Sequence, residues 1–176
     1  MLASEAAFHD ELTKRLRTDP PRTKAELHQA KLELARTHRL NGIPSDATVL
    51  GRMSPADRVA CEDLLRTKPA RTASGVAVVT VMTAPHACPH GVCVYCPGGP
   101  RFGTPQSYTG TEPAALRAAE HHYDPQAQTR SRLDALRAIG HRTDKVDLII
   151  LGGTFTSLEA GYQEWFVQGC LDGMNG

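Results

Sequence analysis

The stretch GVAVVTVM, residues 75–82, decides the fold, because it is a short, nearly continuous apolar and β-branched run that begins with glycine and is soon followed by proline. Such a run is typical of a strand buried on both faces of a parallel sheet. A second run, VDLIIL at 146–151, has the same character, and helix-forming sequence lies between the two. The order strand, loop, helix, strand, loop, helix predicts an α/β fold, either an open parallel sheet or a (β/α) barrel.

Each predicted strand is followed by an unusual connection. Residues 83–108 are rich in glycine and proline, which predicts a long loop, and Gly152-Gly153 forms an abrupt turn after the second strand. The helix that starts near Pro113 is interrupted at Asp124-Pro125 and ends at Gly140. Because the carboxyl ends of parallel strands meet at one edge, we expect the loop and the glycine turn to lie together.

The chain divides by pattern into a helical region, residues 1–72, and the strand-bearing region, residues 73–176. The first region has thirteen Lys and Arg against ten Asp and Glu, and the second has seven against nine. This modest asymmetry gives the helical region a mildly basic character, which is compatible with nucleic-acid contact but weak as a sign of it.

Three helices separated by prolines are predicted in the helical region. The first ends before Pro20-Pro21, and the second begins at Thr23, with Glu26 completing a capping box, and ends at Asn41-Gly42. The third opens at Ser54-Pro55. The residues expected to face inward are Ala7, Leu12, Leu16, Leu27, Ala30, Leu34, Leu40, Val59, Leu64 and Leu65.

The number of cysteines and the lack of long apolar segments indicate the cellular compartment of the protein. There are five cysteines, an odd number that fits poorly with full disulfide pairing. Glu5 and Asp10 leave no apolar stretch near the N-terminus that could form the core of a signal peptide. The apolar run at 75–82 is far shorter than the roughly 20 residues of a membrane span. We therefore expect a soluble, cytoplasmic protein with reduced thiols and no membrane contact.

Cys88, Cys93 and Cys96 lie in the loop after the first strand with the spacing C-x4-C-x2-C. Together with His86 or His90 they could form a closed zinc site. Alternatively, three thiolates could hold a 4Fe-4S cluster and leave one iron open to the amino and carboxylate groups of S-adenosylmethionine, whose reductive cleavage gives a 5'-deoxyadenosyl radical. Context favours the cluster: no second ligand pair lies nearby, and Gly152-Gly153 would let a bulky cofactor approach.

Three segments of the sequence resemble one family closely: KPARTASGVAVVTVMTAPHACPHGVCVYCPGGP at 68–100, QSYTGTEP at 106–113, and YDPQAQTRSRLDALRAIGHRTDKVDLIILGGTF at 123–155. They resemble the catalytic subunit of Elongator in its archaeal and bacterial single-protein form, a family of radical S-adenosylmethionine tRNA uridine acetyltransferases. The four-and-two cysteine spacing is that family's own variant. The resemblance implies that residues 73–176 are the truncated start of a radical S-adenosylmethionine (β/α) partial barrel.

The resemblance also implies a reaction and a set of cofactors. Hydrogen is removed from the methyl group of acetyl-CoA, the carbon is joined to C5 of the wobble uridine of tRNA, and thioester hydrolysis leaves a carboxymethyl group. Cys88, Cys93 and Cys96 match the cluster ligands, Lys145 matches a lysine associated with acetyl-CoA, and Gly152 and Gly153 match the turn that meets the methionine end of S-adenosylmethionine. Gln106, Ser107 and Tyr108 fall in a family motif beside the loop.

The implied partners are tRNA and acetyl-CoA, with Elongator-like subunits or a second copy of the chain as further possibilities. Basic residues are candidates for tRNA phosphate contacts. They are Lys68 and Arg71 together with Arg15, Arg22, Lys24, Lys31, Arg36 and Arg39.

The resemblance further implies more strands and an acetyltransferase-like domain beyond these 176 residues, so we expect the isolated piece not to turn over substrate. Two alternatives stay open from the sequence. One is a non-catalytic, metal-bearing tRNA-binding fragment, and the other is a radical S-adenosylmethionine enzyme that acts on another substrate.

Overall fold

The computed structural model describes residues 3–176, which form two compact units. Unit 1 contains the residues through Gly75 together with Leu136–Arg142, and unit 2 contains Val76–Ala135 and Thr143–Gly176. Unit 1 is helical, and unit 2 carries the sheet. The predicted α/β class is confirmed as a helix-rich chain with a small parallel sheet.

From residue 3 onward, unit 1 has four helices, one more than the sequence predicted. They are α1 (Ala3–Thr18), α2 (Lys24–Thr37), α3 (Asp46–Arg52) and α4 (Pro55–Leu65), followed by a 3-10 turn at Pro69–Thr72. Helix α3 was missed, and α2 ends at Thr37, earlier than the expected stop at Asn41-Gly42. None of the helices in residues 3–176 is long and apolar enough to cross a bilayer.

Hydroxyl side chains begin three of these helices. Thr23 accepts a hydrogen bond from the Glu26 backbone N–H, and Ser45 and Ser54 accept from the backbone N–H three residues on. The Arg22 N–H donates to the Glu26 carboxylate at 2.7 Å. A standard capping box would instead use the N–H of the N-cap residue, Thr23, one position later.

The core of unit 1 is aliphatic, and its fully buried members include Phe8, Leu12, Leu50 and Leu65. Two of the predicted inward positions are wrong. Ala7 is exposed and Phe8 takes its place, and Val59 is 73% exposed. Helix α4 instead turns Asp57 and Cys61 inward, because its buried face contacts Arg17 as well as apolar side chains.

Unit 2 is built on two parallel strands, β1 (Ala77–Met82) and β2 (Val146–Leu151), paired from Ala77 with Val146 to Met82 with Leu151. Its helices are α5 (Pro113–Glu120), α6 (Pro125–Ala138), whose last turn lies in unit 1, and α7 (Ala160–Asn175). Val79 and Val81 pack with side chains of α6 and α7, and Met82 packs with α5.

The expectation that both strands are buried on both faces is only partly correct. Val78 is 38% exposed and Ile149 is 39% exposed. Both side chains lie on strands next to the short helix α5, which has eight residues and covers only part of that face.

Candidate metal and cofactor site

The site lies where β1 and β2 end. The Thr83 N–H donates to the Leu151 carbonyl at 2.9 Å, which continues the strand pairing by one residue before the chains separate. Gly152 follows with φ +125°, and a Cβ atom there would lie 2.1 Å from Thr83 Oγ1. Only glycine fits this position, for its backbone conformation and for its close contact with β1.

Gly153 brings the glycine turn against the cysteine loop. A Cβ atom at position 153 would lie 2.9 Å from Cys88 Sγ and 3.3 Å from Gln106 Cβ. The neighbouring Thr154 hydroxyl lies 3.8 Å from the same sulfur. The expectation that the loop after β1 and the turn after β2 meet at one edge is therefore confirmed.

Hydrogen bonds within the loop give it a defined shape. The Thr104 hydroxyl accepts from the Gly99 N–H at 2.9 Å and donates to the Tyr108 carbonyl at 2.9 Å. Gly98 packs against this part of the loop, and a Cβ atom at position 98 would lie 1.9 Å from the Tyr108 carbonyl oxygen. At the start of the loop, the Ala84 N–H donates to the Tyr162 hydroxyl of α7 at 3.2 Å.

Cys96 receives a backbone hydrogen bond. The Ser107 N–H donates to Cys96 Sγ at 3.0 Å, and Ser107 has φ +74°, a conformation that residues other than glycine rarely adopt. Burial raises the pKa of the Cys96 thiol, but the hydrogen bonds from Ser107 and the contact with Gly98 outweigh burial, so the net pKa lies below the usual value. A thiolate is the form that binds metal.

The other two loop cysteines differ in exposure. Cys88 is buried against the glycine turn, whereas Cys93 is partly exposed, with His90 Nε2 3.3 Å from its sulfur. None of the five cysteines forms a disulfide. Cys61 and Cys170 are buried elsewhere, and burial raises the pKa of Cys170 to about 11, as expected for small apolar residues of a core.

The three loop cysteines do not form a preassembled site for a single ion. Within residues 3–176, no three His, Cys, Asp or Glu side chains converge on a point that could hold one metal ion. Tetrahedral zinc needs four donors at about 2.0–2.3 Å from one centre. An iron-sulfur cluster is a larger body whose irons each take one thiolate, so its cysteines need not converge on one point.

The structure does not bring Lys145 to this edge. Its backbone carbonyl accepts from the Ala77 N–H at 2.8 Å, which places it at the amino end of β2. The six residues of the strand separate it from Gly152 by about 20 Å. Its side chain is exposed.

Several of the basic residues predicted to meet tRNA are paired with carboxylates within unit 1. Arg15 pairs with Glu33 at 2.8 Å. Lys24 and Lys31 both pair with Asp46, and Lys31 is buried, so its assignment to tRNA is wrong. Among residues 3–176, the predicted cations that have no ion pair are Arg22, Arg36, Arg39, Lys68 and Arg71.

Sequence reasoning missed the roles of Thr83, Thr154 and Tyr162, which hold the edge together, because the contacts of single hydroxyl groups leave no periodic pattern in a sequence. His86 was considered only as a zinc ligand. In the structure its Nε2 is buried near Gly153 and has no hydrogen-bond partner.

Comparison with known proteins gives this arrangement a context. Residues 7–73 match the family model described as ELP3 N-terminal domain. The chain is 48% identical over 157 residues to a tRNA uridine(34) acetyltransferase of Methanocaldococcus jannaschii, covering 87% of the chain and 29% of that relative. It is 43% identical over 162 residues to Elongator complex protein 3 of Dictyostelium discoideum, an alignment that covers 87% of the chain and 29% of the relative. It is 41% identical over 160 residues to Elongator complex protein 3 of Homo sapiens, an alignment that covers 86% of the chain and 29% of the relative. The chain therefore spans less than a third of the length of these curated relatives.

Proposed function

We propose that this chain, which belongs to the family of the tRNA uridine(34) acetyltransferases and Elongator complex protein 3, carries the metal and cofactor site of a tRNA wobble-uridine-modifying enzyme. The enzyme transfers a carboxymethyl group derived from acetyl-CoA to C5 of the uridine. The observation that carries the proposal is the contact of Gly153 with Cys88 at the carboxyl edge of β1 and β2.

In this proposal Cys88, Cys93 and Cys96 hold a 4Fe-4S cluster. When bound, the cluster supplies the electron for reductive cleavage of S-adenosylmethionine. The Ser107 N–H donates to the Cys96 sulfur and so favours the thiolate, which is the form that binds the cluster. The buried position of Cys88 keeps water away from one side of the site.

Gly152 and Gly153 form the proposed floor for S-adenosylmethionine. The missing side chains let the turn itself lie against Thr83 and Cys88, and the backbone carbonyls of the turn are the groups offered to the amino group of the cofactor. The contact of Gly152 with Thr83 fixes the position of the turn relative to β1. The residues that shape the site thus come from both strands.

Lys145 is the proposed contact for acetyl-CoA. Acetyl-CoA carries phosphates at one end and the reactive thioester at the other. An exposed cation about 20 Å from the glycine turn suits the phosphate-bearing end better than the thioester. Lys145 would then position the co-substrate and take no part in the chemical step.

The proposed tRNA contacts are the cations that have no carboxylate partner in the described chain. Lys68 precedes the 3-10 turn Pro69–Thr72 and Arg71 lies within it, so the two side chains are close enough to contact one stretch of backbone phosphates. Arg22, Arg36 and Arg39 are further candidates.

The proposed function is tested with the protein at its full natural length, reconstituted anaerobically with iron and sulfide. We expect a reductant to release 5'-deoxyadenosine from S-adenosylmethionine, and we expect mass spectrometry to find carboxymethyluridine in tRNA when acetyl-CoA is present. A protein that binds tRNA but gives neither product would instead be a non-catalytic binding protein. Production of 5'-deoxyadenosine without modified uridine would mean that the substrate is different.

A further inference from the structure

A short turn in the loop of residues 83–108 presents an aromatic ring to solvent. The turn is the 3-10 segment Pro100–Phe102, and Phe102 is 61% exposed. The Phe102 N–H donates to the Gly99 carbonyl at 2.9 Å, and the Gly99 N–H donates to the Thr104 hydroxyl at 2.9 Å. The backbone beneath the ring is therefore held in one conformation, so a ligand that binds the ring has little ordering cost to overcome.

A cation covers part of this ring. The Arg101 guanidinium carbon lies 4.6 Å from the centroid of the Phe102 ring. Phe102 belongs to none of the apolar clusters that the described residues form. An exposed cation–π pair adds little to stability, so the packing of the core does not explain why the ring is held at the surface.

The charge of the surrounding loop indicates what kind of partner this pair suits. Between Met82 and Glu112, Arg101 is the only residue among Lys, Arg, Asp and Glu. Within residues 3–176 no carboxylate pairs with Arg101. A loop without acidic side chains does not repel phosphates, and an unpaired guanidinium attracts them. An apolar protein surface would use only the ring, whereas single-stranded RNA uses both groups, because its bases stack on aromatic rings and its phosphates pair with arginine.

The pair lies near one of the metal-binding cysteines along the chain. The Ser107 N–H donates to Cys96 Sγ at 3.0 Å, so the segment between these two residues closes on itself. Phe102 follows Cys96 by six residues, and even a fully extended chain would separate their Cα atoms by at most about 22 Å. RNA that contacts the ring is therefore close to the metal and cofactor site.

We infer that Phe102 and Arg101 form a stacking platform for one unpaired base of the tRNA anticodon loop, other than the uridine that is modified. The base stacks on the face of the Phe102 ring opposite Arg101, and the guanidinium pairs with a nearby phosphate. A duplex does not offer the face of an internal base, so the platform selects single-stranded RNA. The inference rests on the proposed function, because that function brings the anticodon loop to this site.

The test uses two substitutions of Phe102 in the full-length protein after anaerobic reconstitution. Phe102→Trp keeps a ring on which a base can stack, whereas Phe102→Leu keeps only an apolar side chain. Arg101→Gln removes the charge beside the ring. Leu116→Ala is the control, because Leu116 is an apolar residue that is 56% exposed on α5, outside the loop.

The dissociation constant for tRNA should rise at least about fivefold in Phe102→Leu and stay within about twofold of the wild-type value in Phe102→Trp and Leu116→Ala. Arg101→Gln should reduce the slope of log K against log salt concentration by about 0.7, as for one phosphate of a single strand, and Phe102→Leu should leave the slope unchanged. In Phe102→Trp, tRNA should quench the fluorescence of the new indole, measured as the difference from the wild type.

A set of tRNAs, each lacking one base of the anticodon loop, identifies the stacked nucleotide. At one position, removal of the base should weaken binding to the wild-type protein about as much as Phe102→Leu does. At that position the two changes together should weaken binding no more than either change alone, because they remove the same contact.

Two results would overturn the inference. Equal affinity of the wild type and Phe102→Leu for tRNA would show that the ring does not contact RNA, and would favour a protein partner. A loss in Phe102→Leu that is the same for every tRNA of the set would show that the ring acts only through the shape of the loop. The proposed function fails separately if the protein binds tRNA through Phe102 but forms no carboxymethyluridine.

Discussion

The side chain of Gln128 pairs with the backbone of Met82 as a neighbouring strand would. Gln128 Oε1 accepts from the Met82 N–H at 2.9 Å, and its Nε2 donates to the Met82 carbonyl at 3.0 Å. Two residues earlier in β1, the Arg117 side chain donates to the Thr80 carbonyl at 2.6 Å. Helices α5 and α6 thereby satisfy backbone groups on the side of β1 that faces away from β2, which protects an otherwise open edge.

Loss of the Gln128 amide should destabilise unit 2. In Gln128→Leu two buried backbone groups of Met82 lose their partners, and we expect the free energy of unfolding to fall by about 2–4 kcal/mol. Urea denaturation measures this change. Gln126→Ala, an exposed position on the same helix, is the control. Equal stability of the two variants would show that the pairing with Met82 contributes nothing.

Gly153→Ala should reduce cluster uptake without unfolding the chain. The backbone at 153 is compatible with alanine, but the new Cβ atom would lie 2.9 Å from Cys88 Sγ and displace the sulfur. We expect less iron and sulfide per chain after reconstitution. Gly161→Ala, where nothing lies within 4 Å of the added atom, should load normally. If both variants take up iron and sulfide at the wild-type level, the glycine turn does not shape the metal site.

Unit 1 should lose stability in acid through Asp57. Hydrogen bonds from Arg17 and Ser54 outweigh burial and lower the pKa of this carboxyl from 3.8 to about 2. Because the folded-state pKa lies below the unfolded value, the stabilisation is complete above pH 3.8 and is lost as the pH falls toward about 2. The melting temperature of Asp57→Asn should therefore be lower than that of the wild type at neutral pH and approach it near pH 2.

A partner substitution checks the cause of this acid dependence. Arg17→Met should show the same convergence with falling pH, and the double variant should be less destabilised than the sum of the single variants, because the two residues share one interaction. Additive losses would mean that Asp57 and Arg17 act independently.

Lys68 and Arg71 should contribute to tRNA binding in a salt-dependent way. We expect Lys68→Ala and Arg71→Ala each to weaken binding and to reduce the slope of log K against log salt concentration by roughly 0.7–0.9 for each lost phosphate contact. Lys24→Ala is the control, since Lys24 is paired with Asp46 at 2.9 Å. A larger effect at Lys24 than at Lys68 would contradict the proposed tRNA surface.

The features that local sequence determines were predictable. Both strands, the break at Asp124-Pro125 and the terminator Gly140 follow from periodicity and turn chemistry, and the meeting of Cys88 with Gly153 follows from the rule for parallel strand ends. Helix α3 was missed because seven residues with two buried side chains are too short to show a helical period, although Ser45 marked its start.

Features that depend on distant residues were not predictable. The burial of Lys31 depends on Asp46, fifteen positions away, so a pattern of basic residues could not separate it from accessible cations. The exposure of Val59 depends on which face of α4 packs with Arg17. The unpaired nitrogen of His86 depends on the turn of the loop at Ala84 and on the approach of β2, neither of which a spacing of cysteines contains.

The most direct test of the account is the iron, sulfide and zinc content of the protein after anaerobic reconstitution. We predict four irons and four sulfides per chain, with cluster content lost when Cys88, Cys93 or Cys96 is replaced by alanine and retained in Cys61→Ala. One zinc per chain with no sulfide, unchanged by alanine at these three positions, would contradict the account.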